Sequence, residues 1–261
     1  MDLGLAGKRA VVTGASRGIG LTVARTLVAE GVSIIAGSRE TSEDLEQLVA
    51  SGQASDVQVD LASATGPSQL IQIALDGGPI DILINNAGAV TPRVGGSGSV
   101  TDEQWANSLN LTLMAAVRTA RAALPSMIGA GRGSIVNTAS VNASLPDPLV
   151  IDYSAAKAAL VNYSKSLSKE VGPNGIRVNT VSPGPVATDL WLGNQGVAST
   201  LSNTLGGNPT DYQQHAVRDT ATGRFTTPQE VADLIVFLAS DRSANVTGAD
   251  YIIDGGLTQS L

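Results

Sequence analysis

Seven short runs rich in valine, isoleucine and other strand formers punctuate the chain, and between them apolar residues recur every three or four positions. The runs 9–13, 32–36, 56–59, 80–84, 134–138, 177–181 and 250–253 are predicted as strands, with amphipathic helices between them. Alternating strand and helix predicts a parallel sheet. Right-handed crossovers then put helices on both faces, giving a doubly wound α/β fold of Rossmann type with a seven-stranded sheet. No charged or Pro/Ser-rich linker interrupts the rhythm and no repeat of solenoid length is present, so residues 1–261 are expected to form one domain.

Local chemistry marks several helix ends. Thr101 and Gln104 make a capping-box pattern, Thr41 precedes Asp44 by three, and Thr227-Pro228 offers a cap followed by a first-turn proline. The helix that contains Tyr153 and Lys157 is expected to end at Gly172-Pro173, with the glycine in the left-handed conformation. Two stretches depart from the pattern: 91–100 is rich in glycine and serine, and 188–227 in Asn, Gln, Gly and Thr. Long segments inside a compact fold are lids or carry small helices, so both are expected to wall a substrate pocket.

Composition narrows the function classes. A hydrophobic content of 43% in 261 residues is enough for a sizeable core, while a formal charge of -7 argues against a nucleic-acid partner, which draws its affinity from clustered Lys and Arg. No apolar stretch approaches the roughly 18 residues that span a bilayer. The first strand begins by Arg9, leaving no room for a signal peptide, and a soluble, cytoplasmic protein is expected. Zero cysteines exclude disulfides and thiolate chemistry, the single histidine excludes sites built from several imidazoles, and no metal is expected. That histidine, His215, is read as a loop residue. A hydrolase built on it with Ser97 or Ser140 lacks support, because Gly95-Gly96-Ser97-Gly98-Ser99 misses the last glycine of G-x-S-x-G and follows no strand.

Ligands of open parallel sheets bind beyond the carboxyl ends of the strands. The unusual residues of this chain fall there: Gly14 after the first strand, Ser38-Arg39 after the second, Asp60 after the third, Asn85-Asn86-Ala87-Gly88 after the fourth, Ser140 after the fifth and Pro183-Gly184 after the sixth. The turn from Thr13 through Gly14, Ser16, Arg17, Gly18 and Ile19 to Gly20 joins a strand to a helix. Its glycines permit a tight turn and bring amide groups to the positive helix end, where a pyrophosphate fits. Tyr153 and Lys157 stand one helical turn apart with Ser140 upstream, so a phenol, an ammonium and a hydroxyl can meet at one centre. A carbonyl that receives hydride develops negative charge on oxygen and needs a proton donor and a second hydrogen-bond donor, roles that Tyr153 and Ser140 fit. Lowering a phenol from a pKa of about 10 to about 7 takes roughly 4 kcal/mol, and the Lys157 ammonium is expected to supply much of it.

Some twenty positions past the glycines, an acidic residue accepts hydrogen bonds from an NAD ribose, whereas an arginine holds the extra phosphate of NADP. Ser38-Arg39 occupies that place and Arg17 is within reach of the same phosphate, so NADP(H) is expected; NAD(H), with Glu40 on the ribose, is the alternative.

Thr13 to Gly20 as T-G-x-x-x-G-x-G, Asn85 to Gly88 as N-N-A-G, Ser140 with Tyr153 to Lys157, and Pro183-Gly184 resemble the short-chain dehydrogenase/reductase family nearly end to end, in particular its NADP(H)-dependent carbonyl and 3-oxoacyl reductases. The resemblance implies hydride transfer between NADPH and a ketone or aldehyde, or the reverse from a secondary alcohol, with Tyr153 as general acid/base. The rivals are an NAD-dependent alcohol dehydrogenase of the same fold and a non-catalytic dinucleotide-binding regulator. By the same resemblance Asp60 and Leu61 border the adenine, Asn86, Ala87 and Gly88 the adjoining ribose, and Lys157 the nicotinamide ribose. Thr188 is implied to contact the carboxamide, with Pro183, Gly184 and Val186 beside it. Asn110 matches the family asparagine that positions water for a proton relay behind Lys157, although Asn107 lies one turn earlier. A homotetramer, or a dimer, is implied through the long helices before and after the fifth strand, the second slimmed by Ala155, Ala156, Ala158 and Ala159. Trp191, Leu192 and Tyr212 offer apolar contacts to a small-molecule substrate whose identity the residues leave open.

Overall fold

The computed structural model describes residues 2–259. Strand β1 (Arg9–Thr13) leads through the glycine turn into α1 (Gly18–Ala29), followed by β2 (Ser33–Ser38), α2 (Glu43–Ala50), β3 (Ala54–Gln58), α3 (Gly66–Asp76) and β4 (Ile82–Asn85). Helix α4 (Asp102–Leu109), a π-helical turn (Asn110–Met114) and α5 (Ala115–Ala130) form one unbroken run, which a left-handed Gly131 ends before β5 (Gly133–Thr138). Helix α6 (Ile151–Val171) and β6 (Ile176–Pro183) come next, then three short helices, α7 (Asp189–Leu192), α8 (Val197–Leu205) and α9 (Pro209–Arg218), and finally α10 (Pro228–Ala239) and β7 (Asp250–Ile253).

All seven strands are parallel, in the order β3-β2-β1-β4-β5-β6-β7. The doubly wound fold expected from the alternation is present. The central strands are apolar along their length because both faces are covered: Val12, Ile84 and Val136 pack towards α1 and α10, and Val11, Leu83 and Ile135 towards α3, α5 and α6. Each such side chain, fully withdrawn from water, contributes about 1.5–3 kcal/mol. β1 lies between β2 and β4, so the winding reverses there and a crevice opens at the carboxyl ends of β1 and β4.

Capping boxes form at Thr101 with Gln104 and at Thr227 with Glu230, as their spacing implies. The cap of α2 is Ser42, not Thr41: its hydroxyl accepts from Leu45 N at 3.2 Å and donates to Ser16 O at 2.5 Å. That second bond ties the helix to the glycine turn and decides between two adjacent candidates. Helix α6 ends at Val171, but Gly172 keeps a right-handed φ of -52° and starts a short 3-10 turn. The left-handed position is Gly175, at φ +76°, where a β-carbon would collide with Gly131 O. The 188–227 segment carries α7, α8 and α9, and His215 lies in the last turn of α9 rather than in a loop. Among the described residues no helix is long and apolar enough to cross a membrane.

Candidate active site

The glycine turn is built to leave space. Gly14 has φ +67°, and a β-carbon on it would stand 3.0 Å from Ala87 Cα; one on Gly20 would collide with the Gly14 carbonyl. Asn86 acts as a strut beneath the turn, its Nδ2 donating to Thr13 O and Gly14 O, both at 3.2 Å, while Thr13 Oγ1 accepts from Asn86 N at 3.0 Å and Ala87 N at 3.1 Å. The residue before α1, Arg17, makes no side-chain cap, so the first amide groups of that helix face outwards unpartnered by one. A cradle of glycines with open amides at a positive helix end fits a dinucleotide pyrophosphate.

Other residues named from the sequence surround this cradle. A β-carbon on Gly18 would lie 3.4 Å from Thr188 Cγ2, and one on Gly88 3.6 Å from Lys157 Nζ, so the glycine turn approaches the start of α7 and the loop after β4 approaches the lysine. Thr188 precedes α7 without using its hydroxyl as a cap. Gly184 packs against Asp254, and Val186 bridges to Thr226 at the far end of the 188–227 segment. Ser38 is buried and donates to Glu40 O at 3.0 Å, whereas Arg17 and Arg39 are exposed and make no ion pair or side-chain hydrogen bond among the described residues. Asp60 Oδ1 accepts from Ala62 N at 2.9 Å, and Leu61 is buried against the α3 side of the core.

Lys157 and Tyr153 share one face of α6, with Lys157 Nζ 5.5 Å from the centre of the phenol ring. The ammonium is 3% exposed and donates to Thr138 O at 2.5 Å. Ser140, on the turn after β5, donates to Asn142 Oδ1 at 3.1 Å and stands beside the phenol. Burial pushes the Tyr153 pKa up to about 12, against the contact with Ser140, which favours phenolate. Burial also pushes Lys157 down to about 7. The phenol moves opposite to the sequence-based expectation that its lysine would lower it. In the protein alone, the loss of water around each group outweighs their mutual attraction.

The side chain of Asn110 is engaged elsewhere. It begins the π-helical turn, and its Oδ1 accepts from Arg118 Nη2 at 3.1 Å; the same guanidinium donates to Ala62 O and Ser63 O at 3.3 and 3.2 Å. Two residues on, the Thr112 hydroxyl is buried without a partner. Of the apolar candidates, Trp191 packs edge-on against Phe225 with ring centres 5.9 Å apart, and Tyr212 donates to Gly206 O at 2.9 Å within the α8–α9 connection. Leu192 is exposed. Ser97 lies on an exposed 3-10 turn of the 91–100 loop.

No sequence motif marks Arg93 and Asp152. Arg93, in the 91–100 loop, forms an ion pair with Asp152, the residue before Tyr153, at 2.5 Å. Burial opposes ionisation of Asp152, but hydrogen bonds from Arg93 and Ser108, with the arginine charge, hold its pKa below the ordinary carboxylate value. Adjacency to Tyr153 was the only signal, since the partners are 59 residues apart.

A family model described as enoyl-(acyl carrier protein) reductase matches residues 14–258. A 3-oxoacyl-(acyl-carrier-protein) reductase of Chlamydia pneumoniae is 34% identical, covering 99% of this chain and 100% of its own. Among solved structures, an L-sorbose reductase from Gluconobacter frateurii complexed with NADPH and L-sorbose superposes with a TM-score of 0.91 at 35% identity over 100% of both chains. A 3-oxoacyl (acyl-carrier-protein) reductase from Agrobacterium tumefaciens with NADP bound gives 0.86 at 30% identity, covering 98% of this chain and 96% of that one.

Proposed function

Because the chain belongs to the short-chain dehydrogenase/reductase family, we propose that Tyr153 is the proton donor with which it reduces a ketone. The protein is an NADPH-dependent oxidoreductase that acts on carbonyl and hydroxyl groups. The observation that carries the reading of Tyr153 is the meeting of phenol, ammonium and Ser140 hydroxyl on the sheet edge that holds the glycine cradle.

Bound NADPH supplies the hydride. The chain's own groups manage the charge that follows. A phenol with a pKa of about 12 keeps its proton at neutral pH and can deliver it to the carbonyl oxygen as negative charge develops there. Ser140 offers a second donor once its proton turns from Asn142 to the substrate. The Lys157 ammonium, held by Thr138 O, stabilises the phenolate left behind. Arg17 and Arg39 hold the extra phosphate of NADP, Asp60 and Leu61 border its adenine, and Thr188 meets the carboxamide. Asn110 begins the π-helical turn, with its side-chain oxygen taken by Arg118, and the relay behind Lys157 that its position implies is part of this proposal.

The chain works as one domain whose 188–227 segment covers the substrate, and it assembles as a homotetramer through α4, α5 and α6. Ala155 and Ala158 are exposed on α6, where small residues allow close helix approach, and Ile128 is exposed on α5. A cytoplasmic location accompanies the proposal, since a diffusible dinucleotide must be reduced again after each turnover. Sedimentation of monomer alone would remove the tetramer.

The test is NADPH oxidation across ketoses, cyclic ketones, keto esters, acyl thioesters and an enoyl thioester, with wild type and Tyr153→Phe side by side. Turnover of a ketone is expected, with a fall of about 100-fold or more in the variant at unchanged NADPH affinity. Near-normal turnover by Tyr153→Phe would refute the proton-donor role.

A further inference from the structure

Tyr153 occupies the third position of α6, within the turn of a helix that is most prone to fray. Val150, just before it, offers no side-chain cap. The nearest side-chain cap belongs to the 3-10 turn that leads into α6 (Pro148–Val150), where Asp147 Oδ1 accepts from Leu149 N at 2.9 Å; no side chain caps α6 itself.

A buried cluster supplies the hold instead. Asp152 is 1% exposed, and its two oxygens accept from Arg93 Nε at 3.2 and 3.1 Å, from Arg93 Nη2 at 2.5 Å and from Ser108 Oγ at 2.6 Å. Arg93 N also donates to Leu149 O at 2.6 Å, one residue before Val150. Four segments meet in these bonds: the loop after β4, the loop after β5, α4 and the first turn of α6. A carboxylate this far from water persists only when it is paired and fully bonded, so the cluster behaves as a unit.

We propose that Arg93 and Ser108 are positioning residues for Tyr153, which they hold by clamping the carboxylate of Asp152 against the 91–100 loop and α4. The clamp rests on Tyr153 being the proton donor. It acts through the first turn of α6, by keeping the phenol within the narrow range of positions from which proton transfer is fast. It also makes the 91–100 wall of the cleft one rigid body with the catalytic helix.

The experiment compares kcat per NADPH-binding site, the KM for NADPH and the thermal midpoint for wild type, Arg93→Gln, Arg93→Gln with Asp152→Asn, Ser108→Ala and Tyr153→Phe. Arg93→Gln leaves a buried carboxylate unpaired and is expected to lower kcat about 100-fold with the KM for NADPH unchanged. Adding Asp152→Asn removes the stranded charge and is expected to recover about tenfold. Ser108→Ala, which deletes one bond, is expected to lower kcat by roughly threefold to tenfold. A purely structural cluster would reduce the thermal midpoint and the yield while leaving kcat per site intact, and that result overturns the proposal, as does a double variant no faster than Arg93→Gln. If Arg93→Gln fails to fold, unchanged kcat in both Ser108→Ala and the double variant is the overturning result. An active Tyr153→Phe removes the proton-donor reading and the clamp together; an inactive one beside a normal Arg93→Gln removes the clamp alone.

Discussion

Replacing Lys157 with methionine is expected to make the cofactor-free protein more stable while ending its catalysis. The amine is 3% exposed and its pKa falls from 10.5 to about 7 through burial. Between those two values the unfolded chain binds the proton and the folded protein gives it up, so the stability that depends on this group rises with pH across that window. At about 1.36 kcal/mol per unit, carrying the buried amine costs about 4 kcal/mol at pH 7 and about 2 kcal/mol at pH 9. Methionine is similar in length and uncharged, which removes this cost but leaves Thr138 O without its donor, a loss of about 1–3 kcal/mol. The balance at pH 7 is a gain of about 1–3 kcal/mol, or several degrees in Tm, shrinking to about zero by pH 9. Urea unfolding followed by the fluorescence of the two tryptophans at both pH values measures it. A variant less stable than wild type at pH 7, or a difference that does not change with pH, would show that desolvation of Lys157 is not the dominant force on it. NADPH oxidation by the same preparation should be lost, a trade of stability for function that active sites commonly show.

Two further substitutions probe the cradle and the choice of cofactor. Ser38→Asp with Arg39→Ser removes an exposed, unpaired guanidinium and adds a ribose acceptor, and each charge-assisted bond is worth about 1.5–3 kcal/mol. The kcat/KM ratio of NADPH to NADH should fall by about 10- to 100-fold, and an unchanged ratio would place phosphate recognition elsewhere. Gly20→Ala sets a β-carbon against the Gly14 carbonyl and 2.5 Å from Asn86 Nδ2, a backbone collision costing about 1–3 kcal/mol. Lower Tm and at least tenfold weaker NADPH binding are expected by calorimetry, whereas wild-type values for both would mean that the turn relaxes freely.

Much of the site was legible because turning a parallel strand into a loop restricts residue type on the spot. Gly14 needs a left-handed backbone, and the Thr101 and Thr227 boxes close within four residues. Wherever a choice depended on a distant element, the chain alone was silent or misleading. Ser42 prevails over Thr41 because Ser16 O, in the glycine turn, accepts from its hydroxyl, and Gly175 takes the left-handed turn because Gly131 crowds it. Arg93 and Asp152 carry no mark of their pairing, and Asn110 is drawn aside by Arg118, about two helix turns further on. The direction of the Tyr153 and Lys157 shifts was hidden for a related reason: spacing shows that two groups are close, but only packing shows how much water each has lost.

The most direct measurement uses NADPH deuterated at the nicotinamide carbon that gives up the hydride, a ketone that wild type reduces, and mass spectrometry of the alcohol formed. Wild type should place one deuterium on the carbinol carbon, and Tyr153→Phe, still binding NADPH, should form almost no labelled alcohol. Product without label, or equal labelled product from both proteins, would contradict hydride transfer to a carbonyl protonated by Tyr153.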